Sequence, residues 1–390
     1  MLTVFVVLLL LIAALELIKG LSANGTPPVL QRFSWQMDLA YFMWSTIGAM
    51  RVVAGLAIAG SALLVPAADR LSMVLWAVPL LALWLGVYWL FNRWWVGRIK
   101  FPLITQKTFV GAAENKVDLG LQIIGVVVDG EAKAFPANMV YWHHQIPDTV
   151  GNKPLWITYC GLCQSGRVYD TVVDGRPLTL TLVGAVSFNA TFRDSETGTW
   201  WRQETGEAAK GPLKGRVLED YPCEQMTLGN WLTKYPESLV LQYDPTFTHR
   251  YEFFGKLLNY EASKPAWHMV GSPPLVIGVD LGEHARAYDW SQLQGRGLVQ
   301  DQVGDHALLV LVDPDQTSGF VYDRRHGAEI LQFERTEAGI RDLGTGSMWN
   351  HFGQCTEGAL KGQQLTLVQS YQQFVRSWIT FHGNTTFYEF

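Results

Sequence analysis

Three long apolar runs crowd the first 95 residues, and they limit this chain more than anything else in it. Leu2 to Ile18 is interrupted only by Thr3 and Glu16. As a helix those residues reach roughly 26 Å, the lower limit for a hydrocarbon core of about 30 Å. The run lacks the basic start and small-residue cleavage site of a secretory signal, so it reads as a retained span, with a cleaved signal as the alternative. Leu39 to Val65 is the second run, closed by Pro66 and rich in the Ala and Gly that let helices pack closely. The third covers about 71–95, with Pro79 as a tolerated kink and Trp89, Trp94 and Trp95 as an interfacial belt. The expected membrane section is therefore residues 1–100, with spans at about 2–18, 39–65 and 71–95. Arg51 falls in the middle of the second span, where a charge costs at least roughly 2.5–3.5 kcal/mol on insertion scales. It must face another helix, a partner or a water-filled gap, or else snorkel along a tilted helix.

Charge is split along the chain. Residues 1–110 hold eight Lys/Arg against three Asp/Glu, while the whole chain carries a net charge of -5, so the remainder is acidic. An acidic soluble part without a Lys/Arg cluster excludes a nucleic-acid partner and leaves the lipid bilayer, with other membrane-protein subunits, as the expected company. Three spans put the soluble part opposite Met1. Lys19, Arg32, Arg93, Arg98, Lys100 and Lys107 lie on its side against Arg70 on the other, which favours the cytoplasm. Cleavage of the first run would leave two spans and place that part outside.

After a linker at 101–116 the sequence changes to short β-branched and aromatic runs broken by Gly, Asp and Pro. Leu121–Asp129, Leu155–Tyr159, Arg167–Val173 and Leu178–Val183 read as strands, with Asp174-Gly175 as a hairpin turn. Thr227–Tyr235 reads as a helix capped by Thr227. The soluble part also repeats itself. Ser165-Gly-Arg-Val-Tyr-Asp170 returns as Ser318-Gly-Phe-Val-Tyr-Asp323, and Asp148-Thr-Val-Gly151 as Asp301-Gln-Val-Gly304, both at an offset of 153. Further on, Arg193-Asp194, Thr197-Gly198 and Trp201 match Arg341-Asp342, Thr345-Gly346 and Trp349 at an offset of 148. Ordered matches of this kind signal duplication. The expected fold class is mainly β with a few short helices, an internally duplicated soluble domain behind three N-terminal transmembrane α-helices. Its halves are 117–245 and 270–390, joined by an aromatic-rich connector at 246–269.

The most pointed chemistry lies in the first half. Cys160 and Cys163 sit three apart at the end of a strand-like run, a spacing that lets two thiolates chelate one ion or close on each other. The second half has Asp313 and Gln316 at those positions, so the repeat as such does not need thiols. Four-coordinate zinc would require two more ligands, and His143 and His144 are the nearest candidates. A soft Cu(I) ion could be content with fewer and recruit Met139. On a strand the two histidines would point to opposite faces, which favours His143 alone. A dithiol–disulfide redox pair is the second functional reading, and a structural pair of buried thiols or a static disulfide is the plain one. Cys223 and Cys355 could pair in an oxidising compartment or stay reduced. No Ser-His-Asp order, phosphate loop or His-Glu-x-x-His motif is present, so hydrolase and nucleotide chemistry find no footing.

Gly130-Glu-Ala-Lys-Ala-Phe-Pro136, Trp142-His143, Tyr159-Cys-Gly-Leu-Cys163, Asn189, Thr197-Gly-Thr-Trp200 with Gln203, and Gly206 to Gly215 together resemble the bacterial and archaeal family called domain of unknown function 3179. The likeness is best between residues 120 and 245. It departs at Gly161, where the family usually has Pro, and at His144-Gln145, which replaces the Glu after its Trp-His pair. The resemblance implies no established activity. It does imply an exported soluble part, here on the outer side of a bacterial inner membrane, against the charge count. Asn189, Arg193, Trp201 and Gln203 form a polar-aromatic group in the best-matched block and could line a pocket. Arg341 and Trp349 stand in the matching places of the second half, which favours a role in the fold. The leading expectation is metal (copper or zinc) handling or thiol redox through Cys160, Cys163 and His143. The rival is a non-catalytic subunit or interaction module of a membrane complex.

Overall fold

The computed structural model describes residues 1–25, 31, 33–161, 163–263, 274–337 and 339–390. Its contacts divide the chain into two compact units, residues 1–103 with 178–217, and residues 104–177 with 218–390.

In the first unit the three apolar runs form α1 (Leu2–Ala23), α2 (Trp35–Leu63) and α3 (Arg70–Trp89). All three helical segments are long and apolar enough to cross a membrane, which makes this section a membrane anchor. Helix α1 lies against both α2 and α3 and continues to Ala23, past the expected end at Ile18. It can continue because the charge of Lys19 is accommodated: the ammonium donates to Asn92 Oδ1 and lies 4.9 Å from the centre of the Trp44 ring. Gly20 leaves room for Phe91, whose ring a Cβ would meet at 2.1 Å.

Arg51 faces another helix. Its Nε donates to Glu16 Oε1 at 2.5 Å and its Nη2 to Glu16 Oε2 at 2.9 Å, while Asn92 donates to the same carboxylate at 3.1 Å. Glu16, an apparent flaw in an apolar run, is the fully buried partner of that arginine. The pairing answers the cost of each charge in the membrane section with the other.

Also in this unit, Leu180–Val186, Asn189–Asp194, Trp200–Arg202 and Ala208–Lys210 form an antiparallel meander. Its apolar face gives Val183, Val186, Trp200 and Ala209 to a core completed by Ala23, Met37 and Ala40 of α1 and α2. Tyr41 and Trp44 meet Trp200 edge-on at 5.5 and 6.0 Å. A piece of the first repeat is thus built into the membrane anchor.

The duplication is plain in the strand pairing. In the first half, Leu239–Leu241, Glu131–Pro136, Gln122–Val128 and Glu224–Thr227 are neighbours in that order, and Phe109–Val110 adds an edge. The second half repeats the order with Thr385–Phe387, Ala285–Asp289, Leu275–Asp280 and Ser370–Phe374. Even the single parallel pairing recurs, of Leu239–Leu241 with Glu131–Pro136 and of Thr385–Phe387 with Ala285–Asp289. Gly125 makes room for the Trp231 ring just as Gly278 does for Trp378, with a Cβ at 2.2 and 2.3 Å from them. A second sheet follows in each half, Gln145–Val150, Lys153–Cys160 and Ser165–Asp170 against Leu298–Val303, His306–Val312 and Gly319–Asp323. The second half's own meander, Phe333 to Glu357, gives Phe333, Ile340, Trp349 and Cys355 to a core shared with Ile123, Ala134, Met226 and Trp231 of the first half. One repeat closes its meander on the β core and the other closes it on membrane helices.

Local sequence decides several details. Asp174 and Gly175 both have positive φ in a two-residue turn between Val172–Val173 and Arg176–Pro177, as a type I′ hairpin requires. Thr227 caps the helix Leu228–Lys234 through the Asn230 amide. The connector holds an α-helix, Thr248–Ser263, and its residues 264–269 lie outside the described ones. His143 and His144 are not on a strand: Ala137–His143 is a short helix, and His144 ends it in the left-handed conformation at φ 60°.

Candidate functional site

The strands Lys153–Cys160 and Ser165–Asp170 pair antiparallel until Cys160 stands opposite Ser165. Trp156, Ile157, Thr158 and Tyr159 suit such a strand, being β-branched or aromatic and fully buried. The hairpin tip is closed by the Cys163 amide donating to the Cys160 carbonyl at 3.1 Å, with Gln164 left-handed at φ 53°. Cys160 and Cys163 are both thiols, each 1% exposed, held in this one turn. Leu162 between them lies outside the described residues. Gly161 is sterically required: a Cβ there would come within 1.8 Å of Tyr141, whose ring packs against Tyr159 and Phe254.

The second half builds the same turn without cysteine. Gln316 donates its amide to the Asp313 carbonyl at 3.0 Å, and Asp313 stands opposite Ser318. There the side chains serve as a latch. Asp315 Oδ2 accepts from Ser318 Oγ, Thr227 Oγ1 and Asn230 Nδ2, and the Thr227 amide donates to Ser318 Oγ. Burial raises Asp313 above the usual carboxylate range. The tip thus docks on the junction between Glu224–Thr227 and its helix in the first half. The cysteine tip does the reciprocal thing, its Cys163 carbonyl accepting from the Phe374 amide at 2.9 Å, at the junction of Ser370–Phe374 with the helix Val375–Phe381.

That junction carries polar groups that find no such latch among the described residues. Gln373, fully buried, finds no hydrogen-bond partner for either amide atom among the described residues, and neither does Ser377 Oγ. Ser377 stands where the first half has Asn230. Beyond it, His382 stacks on Trp378 at 3.9 Å and shares a hydrogen bond with Asp280 at 3.1 Å. That bond holds the Asp280 carboxyl below its ordinary range, and the other imidazole nitrogen of His382 is buried with no partner among the described residues. Arg167 lies 3.2 Å over the Tyr371 ring, and Tyr371 donates to Asp220 at 2.5 Å.

Among the described residues the two histidines and the thiol pair form no group of three metal ligands. His143 Nε2 meets the Tyr251 hydroxyl at 2.8 Å, with its ring among Phe247 and Tyr251. His144 is the one beside the cysteine strand, its Nδ1 3.4 Å from the Tyr159 carbonyl. It occupies the helix-ending position where the second half has Gly297, also left-handed. Among the described residues no three His, Cys, Asp or Glu side chains converge as metal ligands. Cys223 and Cys355 are separate buried thiols, Cys223 beside Gln369 and Cys355 directed at the Glu357 carbonyl. Burial raises both thiols above the usual range.

In the first unit, Asn189 donates to Gln203 at 3.0 Å, both fully buried. Trp201 donates its indole N–H to Asp194 at 2.8 Å, and Trp349 donates to Asp342 at 3.1 Å in the same Asp-x-x-Thr-Gly turn. Three of the four residues in this polar-aromatic group therefore make internal contacts of the fold. The fourth, Arg193, lines a cavity instead. The repeat was the signal for the Asp194 and Asp342 turns, whereas nothing in sequence linked Glu16 to Arg51 or to Asn92.

A family model described as a protein of unknown function (DUF3179) matches residues 99–385. The chain belongs to this family. The match covers both repeats, so the duplication and the cysteine turn lie within the DUF3179 region, while the three apolar helices precede it. No curated protein and no solved structure matches the chain.

Proposed function

We propose that this DUF3179 protein is a membrane-anchored soft-metal protein whose site is the Cys160–Cys163 turn, with Cu(I) as the ion. One observation carries the reading: the second half forms the same turn from Asp313 to Gln316, so the fold does not call for two thiols there. Two sulfurs in one turn suit a thiophilic monovalent ion that accepts low coordination. We favour Cu(I) over tetrahedral zinc because no three His, Cys, Asp or Glu side chains converge among the described residues. Bound, the ion would supply transferable Cu(I) or a one-electron couple. The chain's part is to hold both thiolates in a buried turn next to unsatisfied polar groups of Gln373 and Ser377.

Metal analysis and Cu(I) titration of the full-length protein test this. One equivalent bound by the wild type and lost in Cys160→Ser/Cys163→Ser is the expected result. A bound ion that survives the double substitution refutes the site. A wild type that binds no Cu(I) and keeps both thiols inert to oxidant leaves the rival reading, a non-catalytic subunit of a membrane complex. We place the soluble part outside a bacterial inner membrane, following the family resemblance over the charge bias. Labelling of an engineered exposed cysteine by an impermeant maleimide in intact spheroplasts is the expected outcome, and labelling only after lysis would reverse the orientation.

A further inference from the structure

A cavity of about 320 Å3 lies within the first unit, where the C-terminal ends of α1 and α3 and the early part of α2 meet the strand Leu180–Val186. Lys19, Arg98 and Arg193 line it with Asn92, Thr181 and Ser195, and no Asp or Glu is among its lining residues. Its volume falls within the usual range for small-molecule sites, roughly 300–1,000 Å3.

Three independent features give this cavity a preference for an anion. First, Lys19 is 5% exposed and makes no ion pair among the described residues, its ammonium donating to Asn92 Oδ1 instead. Glu16, one turn away, has both oxygens engaged by Arg51 and Asn92. Lys19 and Arg51 thus share one buried carboxylate, and an anion in the cavity would offset the excess positive charge. Second, the repeat shows an exchanged partner. Arg341 in the second half pairs with Glu334, directly across the strands. The matching register in the first half puts Thr181 opposite Arg193, which makes no ion pair among the described residues and turns to the cavity instead. Third, the buried indole N–H of Trp44, another lining residue, has no acceptor among the described residues.

The geometry points to a phosphate-binding site at the rim of the membrane anchor, filled by the headgroup of an anionic phospholipid. The helix ends that form it lie on the side of the membrane where the meander packs. Trp44 and Phe91 give its inner wall the aromatic character of an interfacial belt. Lys19 and the Trp44 indole N–H would meet the phosphate from below, and Arg98 and Arg193 would close over it from the exposed side.

Full-length protein in nanodiscs of phosphatidylcholine, with and without phosphatidylglycerol, tests the site by melting temperature and by mass spectrometry of lipid retained after extraction. Wild type should be stabilised by phosphatidylglycerol and retain it. Arg98→Gln/Arg193→Gln should lower that retention roughly tenfold or more. Arg341→Gln, the matching residue in the second half, should leave it unchanged. Arg98 and Arg193 are exposed, and Arg98→Lys/Arg193→Lys should restore much of the effect, which separates charge from misfolding. Millimolar inorganic phosphate added to phosphatidylcholine discs separates the sources. Stabilisation by phosphate equal to that by the lipid would overturn the lipid assignment in favour of a soluble phosphate. Equal retention by wild type and the Gln variant, or no response of wild type to either anion, would overturn the site altogether.

Discussion

Gly161 offers the sharpest test of the cysteine turn. A Cβ at this position would lie 1.8 Å from Cε2 of Tyr141, 2.1 Å from Cζ and 2.4 Å from the hydroxyl. Ordinary contact begins at 3.4 Å, so the ring would have to retreat by about 1.6 Å. It has little room to do so, being flanked by Tyr159 at 5.7 Å and Phe254 at 4.6 Å between centroids. Gly161→Ala should therefore cost about 1–3 kcal/mol by overpacking. At about 2–4 °C per kcal/mol for domains of 150–250 residues, and less for a larger unit, the melting temperature should fall by roughly 2–6 °C. Tryptophan fluorescence of the detergent-solubilised protein reads this directly. In a Tyr141→Leu background the clash is gone, and the second substitution should cost at least about 1 kcal/mol less than in the wild type. A Gly161→Ala protein that melts with the wild type, or that loses as much without Tyr141 as with it, refutes the packing argument. Pro, usual at this position in the family, should behave no better than Ala here.

Other perturbations follow from the same geometry. Arg51→Ala strands the buried Glu16 carboxylate and should cost about 3–5 kcal/mol, seen as lower yield and melting temperature, and Glu16→Gln in the same chain should recover part of it; no recovery would mean the pair is incidental. Trp201→Phe and Trp349→Phe each remove an indole hydrogen bond to a buried aspartate, so each should lower stability by about 1.5–3 kcal/mol. Unchanged melting in both would show that the two turns do not depend on that bond. Asp244 is held well below the ordinary carboxylate range: burial pushes it up, but hydrogen bonds from Thr105, Thr246 and Gln106 outweigh that. Its depressed value contributes stability that is complete above the unfolded-state value of about 4 and is lost as pH falls towards the native one. The stability gap between wild type and Asp244→Asn should accordingly be flat above about pH 5 and shrink below pH 4 in melting curves. A gap that widens on acidification would contradict the sign.

The sequence by itself determined the large divisions, because they rest on signals that are local or repeat at a fixed offset. Apolar length marked three helices, alternation and Gly-Asp punctuation marked the strands, and the 153-residue offset marked a duplication whose strand order is the same twice. Turn chemistry was equally legible at Asp174-Gly175 and Thr227, where one or two residues dictate the backbone. Side-chain partnerships across tens of residues were not. Glu16 looked like a flaw in an apolar run until Arg51, 35 residues away, closed on it. His143 read as part of a strand, but it ends a short helix and meets the Tyr251 hydroxyl. Likewise, the meander of the first repeat reads in sequence like its copy in the second, yet Val183, Val186 and Trp200 are covered by α1 and α2 while Phe333, Ile340 and Trp349 are covered by strands. An apolar face states only that it must be buried, not by what, and burial is non-directional. Which surface covers it is decided when the whole chain packs.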